Sequence, residues 1–216
     1  MISVTATQKT GATAYRLTSE FASNKAAASC LIVTTTNDSG GGSLRAAITC
    51  ANASTADDAI TFVIPGAGPH TITLTSALPT ITDDNVSIDG ITQSGASCGN
   101  LWAGTPHTLK IHLDGTGSTI GGISVTGNNV SVKGLSLTNF TSTSSSTLGF
   151  LAGATGGSVQ CSYLGLNPDG TSGTSLSHVG VAVHNADLLI GGLTAGEGNA
   201  ISNTSHAVVG YPGASG

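Results

Sequence analysis

The sequence predicts an all-β fold, a β-solenoid closed at its N-terminal end by one short capping α-helix. Three observations lead there. One helical segment precedes a long run of short strands and turns. A six-residue motif recurs, NVSIDG at residues 85–90 and NVSVKG at residues 129–134. The composition suits a strand-and-turn chain: 31 glycines in 216 residues, 8% charged residues and 38% apolar ones. Disordered chains combine low hydrophobicity with high charge, and this one does not.

Along the chain, residues 1–30 read as an N-terminal extension. Met1 is not followed by the basic and apolar regions of a secretory signal. Ala27-Ala28-Ser29-Cys30 only faintly suggests a lipoprotein cleavage site, so the simplest expectation is an excerpt of a longer chain. Residues 31–58 hold a first strand, Leu31 to Thr36, rich in β-branched residues, and the cap helix. The helix lies in Asn37 to Asn52, NDSGGGSLRAAITCAN. Turn chemistry runs into Ser43, a side chain able to accept the orphan N–H groups of a first helical turn. Leu44, Ala47, Ile48 and Ala51 then recur at helical spacing and form one narrow apolar face. Arg45 flanks that face and is expected to anchor a carboxylate or carbonyl nearby.

Residues 59–216 read as the coils. Ala59 to Ile64 is an apolar run stopped by Pro65-Gly66. His70 to Thr75, HTITLT, alternates with the period of a strand that buries one face. Residues 109–115, LKIHLDG, place Asp114-Gly115 between the two recurring motifs. This divides the interval from Asp89 to Lys133 into two expected coils of about 22 residues, a solenoid period. Ser158 to Leu166, SVQCSYLGL, continues the pattern with Val159 in the place of Val132. Leu188 to Gly192 and Asn199 to Asn203 continue it more loosely. Nothing in the tail after Tyr211 reads as a cap, so the expectation is a longer chain or a covering subunit.

Several of these stretches are similar to the N-terminal motif of bacterial secreted right-handed parallel β-helix proteins, of pectin-lyase-like fold. The resemblance is carried by Asn37-Asp-Ser-Gly, Ser43-Leu-Arg-Ala-Ala-Ile and Ala51-Asn52, against a family helix of "SLREAI" type. It continues through Ala59-Ile-Thr-Phe, Ile64-Pro-Gly, His70-Thr-Ile-Thr-Leu and Ile88-Asp-Gly. Tyr163-Leu-Gly-Leu, Asp169-Gly-Thr, Ile190-Gly-Gly and Asn199-Ala-Ile-Ser-Asn extend it. Ala46 stands where the family often has Glu or Gln. The resemblance implies a secreted or cell-surface repeat protein, and by itself supplies no chemistry.

Four cysteines, Cys30, Cys50, Cys98 and Cys161, lack zinc-type spacing and suit an oxidising compartment. Three connectivities are open if all pair, and Cys50–Cys98 is the expected one; four buried thiols are the alternative. The coil register places Val86, Ile88, Ile111, Leu113, Val130 and Val132 inward. Ser87, His112 and Ser131 would then form one outward row, and Asp89, Asp114 and Lys133 another. Neighbouring strands lie about 4.8 Å apart. Asp89 and Asp114 would therefore be adjacent carboxylates, able to hold calcium or to act on a sugar. The plainer reading is that Asp-Gly marks one turn twice. Trp102 reads either as a sugar-stacking platform or as a cover for the core. The polar loop from Thr141 to Thr147 reads as flexible or glycosylated.

A net charge of −5 with only six Lys and Arg argues against a nucleic-acid groove. No apolar run approaches the ~20 residues of a membrane span. Three function classes follow. The first is a non-catalytic extracellular scaffold or adhesion module, contacting polysaccharide, cell-surface glycan or copies of itself end to end. The second is a polysaccharide lyase or glycoside hydrolase. Against it, Gly-His-Gly and Arg-Ile-Lys motifs are absent, and Arg16 and Arg45 lie outside the repeats. The third, an ice-binding solenoid, needs the Thr71, Thr73, Thr75 row in every coil, and LKIHLDG does not repeat it. No cofactor other than calcium is expected.

Overall fold

The computed structural model describes residues 30–142, 146–173, 179–184 and 187–211. The N-terminal extension up to Ser29, part of the Ser-rich loop and the tail after Tyr211 lie outside the described residues. The chain opens with β1 (Ile32–Val33), α1 (Leu44–Ala51), β2 (Asp58–Phe62), β3 (His70–Thr73) and β4 (Val86–Asp89). It continues with β5 (Ile111–Asp114), β6 (Ile123–Val125), β7 (Ser131–Lys133), β8 (Leu135–Thr138) and β9 (Ser146–Phe150). Then come β10 (Ser158–Gln160), β11 (Tyr163–Leu164), β12 (Val179–Val183), β13 (Leu189–Ile190), β14 (Ala200–Ile201) and β15 (His206–Gly210).

These strands form three sheets, and every strand pairing is parallel. The first sheet runs β1-β2-β4-β7-β10-β13, the second β3-β5-β8-β11-β14, and the third β6-β9-β12-β15. From β4 onward the chain visits the first, second and third sheets in strict rotation, and each strand bonds to the strand of the next circuit. Inward side chains of all three sheets, among them Ile60, Ile88, Val132, Leu113, Leu137, Leu148 and Val181, join one core.

The local chemistry of the first sheet explains the recurring motif. Asn85 (φ 58°) and Asn129 (φ 54°) take the left-handed backbone conformation that turns the chain into β4 and β7. Asparagine tolerates it because its short polar side chain bonds locally. Here the two asparagines stack, Asn129 Nδ2 donating to Asn85 Oδ1 at 3.2 Å. Gly156 and Asp187 hold the same left-handed place in the next two circuits. Val86, Ile88, Val130 and Val132 point inward and are buried. At the exit of the strand, a Cβ on Gly90 would lie 2.3 Å from the Gly134 carbonyl oxygen. Successive circuits approach too closely there for a side chain.

The register corrects the expected coil length. Ile60, Ile88, Val132, Val159 and Ile190 stand side by side along the first sheet, so its steps are 28, 44, 27 and 31 residues. The interval of 44 is one long step and not two of about 22. LKIHLDG is not an intermediate rung of the same sheet: β5 belongs to the second sheet, beside β3 and β8. The extra length of that step lies in residues 90–110, between β4 and β5.

Helix α1 closes one end of the core with Leu44, Ala47, Ile48 and Ala51. Ser43 Oγ accepts from Ala46 N–H at 3.2 Å as the N-cap. Arg45 is a clamp: it donates to Asp38, to Ser76 O at 2.9 Å and to Ala77 O at 2.5 Å. At the other end Asn52 donates to Thr80 O at 2.7 Å and accepts from Thr82 N–H at 2.9 Å. Cys50 bonds to Cys30 and Cys98 to Cys161, which overturns the expected Cys50–Cys98 pair. Cys30 lies just before β1, near the helix end. Cys98 is carried away by the long loop to the turn that follows β10.

Removing the apolar cap contact should cost what a buried leucine costs. Leu44→Ala is expected to lower unfolding stability by about 2–5 kcal/mol, and Leu44→Asp by more, since it buries an unpaired charge. Urea denaturation measures both. A change within about 0.5 kcal/mol, typical of open surface, would contradict the cap assignment.

Candidate functional site

The predicted face of Asp89, His112, Asp114 and Lys133 does not assemble. Asp89 neighbours Lys133 in the first sheet, as Ser87 neighbours Ser131. His112 and Asp114 belong to the second sheet, where their neighbours are Thr71 and Ser136, and Thr73 and Thr138. Asp89 and Asp114 are therefore not adjacent carboxylates, and the calcium or acid–base pair expected of them falls. Asp89 accepts from Ile91 N–H at 2.9 Å and caps the short 3-10 turn Gly90–Thr92. Asp114 accepts from Thr116 N–H and Oγ1 at 3.0 and 2.6 Å and from Asn139 Nδ2 at 2.8 Å. Burial raises the pKa of Asp114, but the bonds from Thr116 and Asn139 and the nearby His112 outweigh it and hold the carboxyl below its ordinary value. Both aspartates thus perform turn chemistry.

His112 is buried on the outer side of the second sheet, its ring nitrogens 3.3 Å from Thr71 Oγ1 and 2.7 Å from Thr138 Oγ1. Burial depresses its pKa against the pull of Asp114. Its place is structural, and it is not available to a ligand as expected.

The long loop builds a different feature. Residues 90–110 form an arm closed at its base by an antiparallel bridge between Ser97 and Thr108. Its Leu109 packs with Cys161 and Tyr163 in a second, smaller core, joined by Ile91, Cys98 and Leu101. Tyr163 stands on the outer row of the second sheet, beside Ser136 and Ala200. Its hydroxyl accepts from His107 N–H at 2.8 Å. His107 is a strut. Nδ1 accepts from Gly99 N–H at 2.9 Å, so the proton sits on Nε2, which donates to Gly198 O at 2.8 Å. Burial lowers its pKa and keeps it neutral, although the two backbone bonds oppose the shift. With Cys98–Cys161, the arm is pinned across circuits that follow its own.

At the tip, the 3-10 turn Leu101–Ala103 is capped by Asn100, and Gly104 ends it in a left-handed conformation (φ 73°). This turn holds Trp102 88% exposed. The expectation that Trp102 covers the core is therefore wrong: Leu109 and Tyr163 fill the space beneath the arm, and the indole stands outside. Beside it is an open cleft of about 350 Å³, lined by Leu101, Trp102, Ile190, Asn199, Ile201 and the backbone of Gly191, Gly192 and Gly198. A second hollow, which shares Trp102 and Gly192 with the first, is lined also by Asn100, Leu193, Thr194 and Ala195. Leu193 is fully exposed.

Chemically the cleft is a platform with a polar backbone rim. Asn199 is committed to the stack, donating to Val159 O at 2.7 Å and accepting from Ser162 N–H at 3.0 Å. Glu197, behind Gly192, accepts from Thr194 N–H at 2.8 Å; that bond holds its carboxyl below the ordinary range, as an anion and not an acid. Among the described residues, no three His, Cys, Asp or Glu side chains converge as a metal site. No described helix is long and apolar enough to cross a membrane. The arm and the 191–198 turn were missed in the sequence. The signal available was the step of 44 residues between two matched motifs, against 27 and 28 on either side. The chain matches no protein-family model, no curated protein and no solved structure.

Asp114 generates a prediction of sign. Its folded pKa lies below the unfolded one, so its contribution is full above the unfolded value and is lost as pH falls towards the folded value. Thermal unfolding from about pH 7 to about pH 3 should therefore show a shallower acid loss for Asp114→Asn than for the parent. Parallel curves would contradict the assignment.

Proposed function

We propose that the chain is a non-catalytic parallel β-helix module of a secreted or cell-surface protein, and that it presents the Trp102 cleft to extracellular polysaccharide. The strict rotation through three parallel sheets around one core supports the β-helix reading. So does the absence of any α-helix after β2 among the described residues, where an α/β sheet would carry crossover helices. Two disulfides fit an oxidising compartment.

One observation carries the functional reading: the exposed indole of Trp102 on a covalently pinned arm. Leaving apolar area in water forgoes about 25 cal/mol per Å². A disulfide, a histidine strut and a second core nevertheless hold this ring outside. A flat indole with backbone carbonyls and amides around it suits the apolar face and hydroxyl edge of a pyranose ring. Aromatic residues of this kind dominate recognition energetics because they present large, rigid area at low entropic cost. Hydrolysis by a retaining route needs two carboxyl groups about 5 Å apart, and the pair expected of Asp89 and Asp114 is divided between two sheets.

Trp102 is the only tryptophan in the sequence, so its fluorescence reports the cleft directly. Titration with a panel of neutral and acidic polysaccharides should shift its emission to the blue for at least one of them. Trp102→Ala should weaken retention of that polysaccharide at least tenfold, with an unchanged melting temperature. A panel that leaves the emission untouched would contradict the reading. Release of reducing ends or unsaturated sugars would replace it with an enzyme.

A further inference from the structure

Away from the Trp102 cleft, two pairs of aspartates stand where two successive circuits enter the first sheet, beyond the C-terminal end of α1. Asp57 and Asp58 lead into β2. Asp83 and Asp84 lead into β4 of the next circuit, where Val86 stands beside Asp58. Asp84 is satisfied, accepting from Asn128 N–H at 2.7 Å and from Asn128 Nδ2 at 3.1 and 3.2 Å. Asp58 is only 8% exposed. Ser54 bonds to its carboxyl, yet Asp58 Oδ2 is buried with no hydrogen-bond partner. Asp83 Oδ2, from the neighbouring circuit, is buried and unpartnered too.

Among the described residues, no basic side chain pairs with Asp58 or Asp83. The described basic side chains are Arg45, Lys110 and Lys133. Arg45 is spent on Asp38, Ser76 and Ala77, and Lys133 lies beside Asp89. Asn52 turns its side-chain oxygen to the Thr82 and Asp83 N–H groups and its amide to Thr80 O. The carbonyl end of α1 adds negative potential. Burial pushes the Asp58 carboxyl up against the opposing Ser54 bond, and the charges of Asp83 and Asp57 add to the rise. Buried carboxylates in proteins are paired or coordinate a metal.

We propose that Asp58 and Asp83 are the protein ligands of a hard divalent cation, calcium by its chemistry, at the corner where β2 and β4 begin. The donors are carboxylate oxygens only, without nitrogen or sulfur, which selects against zinc and copper. Calcium accepts irregular shells of six to eight oxygens completed by water and backbone carbonyls, whereas magnesium demands a strict octahedron. Two carboxylates place the affinity at the weak end, about 10⁻⁴–10⁻³ M, the range of extracellular modules. The ion ties two successive circuits together below the cap helix.

The test is thermal unfolding and calorimetry of the full chain at neutral pH, titrated with calcium chloride after chelator treatment. Magnesium and sodium chloride at matched ionic strength are the controls. A saturable rise in melting temperature with calcium, at least tenfold weaker with magnesium, is expected. Asp58→Asn with Asp83→Asn should remove that response and melt, without calcium, no lower than the parent, because two unpartnered charges are gone. Should the double variant fail to fold, Asp83→Asn alone, at a half-buried position, should weaken the calcium response at least tenfold. A parent indifferent to calcium would overturn the proposal. So would a folded variant that keeps the response.

Discussion

Backbone hydrogen bonds between strands in this chain are made to the next pass of the chain, not to a neighbour in sequence. That constraint governs the rest. Each circuit must present its N–H and C=O groups at the same height as the circuit before it, about 4.8 Å away. Residues at equal places therefore stack in columns. Ile60, Ile88, Val132 and Val159 form an inward column. The left-handed places of Asn85, Asn129, Gly156 and Asp187 form a corner column. Where backbones come closest, as between Gly90 and Gly134, no side chain fits. A column tolerates change of residue type but not of backbone conformation.

The same constraint decides where novelty is admitted. Strand positions are bound on both sides, so added length can leave the stack only at a corner. Residues 90–110 leave it after Asp89 and must then satisfy their own polar groups and cover their own apolar ones. They do so by laying Leu109 on Tyr163, bonding Cys98 to Cys161 and setting His107 between Gly99 and Gly198. What the arm cannot bury, Trp102, it displays. The cleft is thus a by-product of docking an insertion across later circuits, and its rigidity is inherited from them. Helix α1 solves the corresponding problem at the N-terminal end, where the core would otherwise meet water.

Much of this was legible in the sequence, for physical reasons. Ser43 and the 3.6-residue spacing of Leu44, Ala47, Ile48 and Ala51 specify a capped amphipathic helix locally. Matched Asn85–Gly90 and Asn129–Gly134 report one column because both the left-handed entry and the glycine exit are conformational requirements. Alternation correctly marks Ile111 and Leu113 as inward. It cannot say which sheet they enter, because every face of the stack alternates in the same way. Asp114-Gly115 resembles Asp89-Gly90 because both leave a strand by a turn, and that likeness led to the wrong neighbour. His112, outward by alternation, is buried between Thr71 and Thr138 of the flanking circuits, whose hydroxyls bond its ring nitrogens. The Cys98–Cys161 pairing and the exposure of Trp102 depend on the docking of the arm, and neither has a local signature.

Backbone nuclear Overhauser effects in the isotopically labelled protein test the register most directly. Parallel pairing puts Ile88 beside Val132 and Leu113 beside Leu137. Interstrand amide–Hα effects should connect residues around Ile88 with those around Val132, and residues around Leu113 with those around Leu137. Effects joining the backbone of Val86–Asp89 to that of Ile111–Asp114 would restore the shorter repeat. They would contradict the long step, the arm and the cleft together.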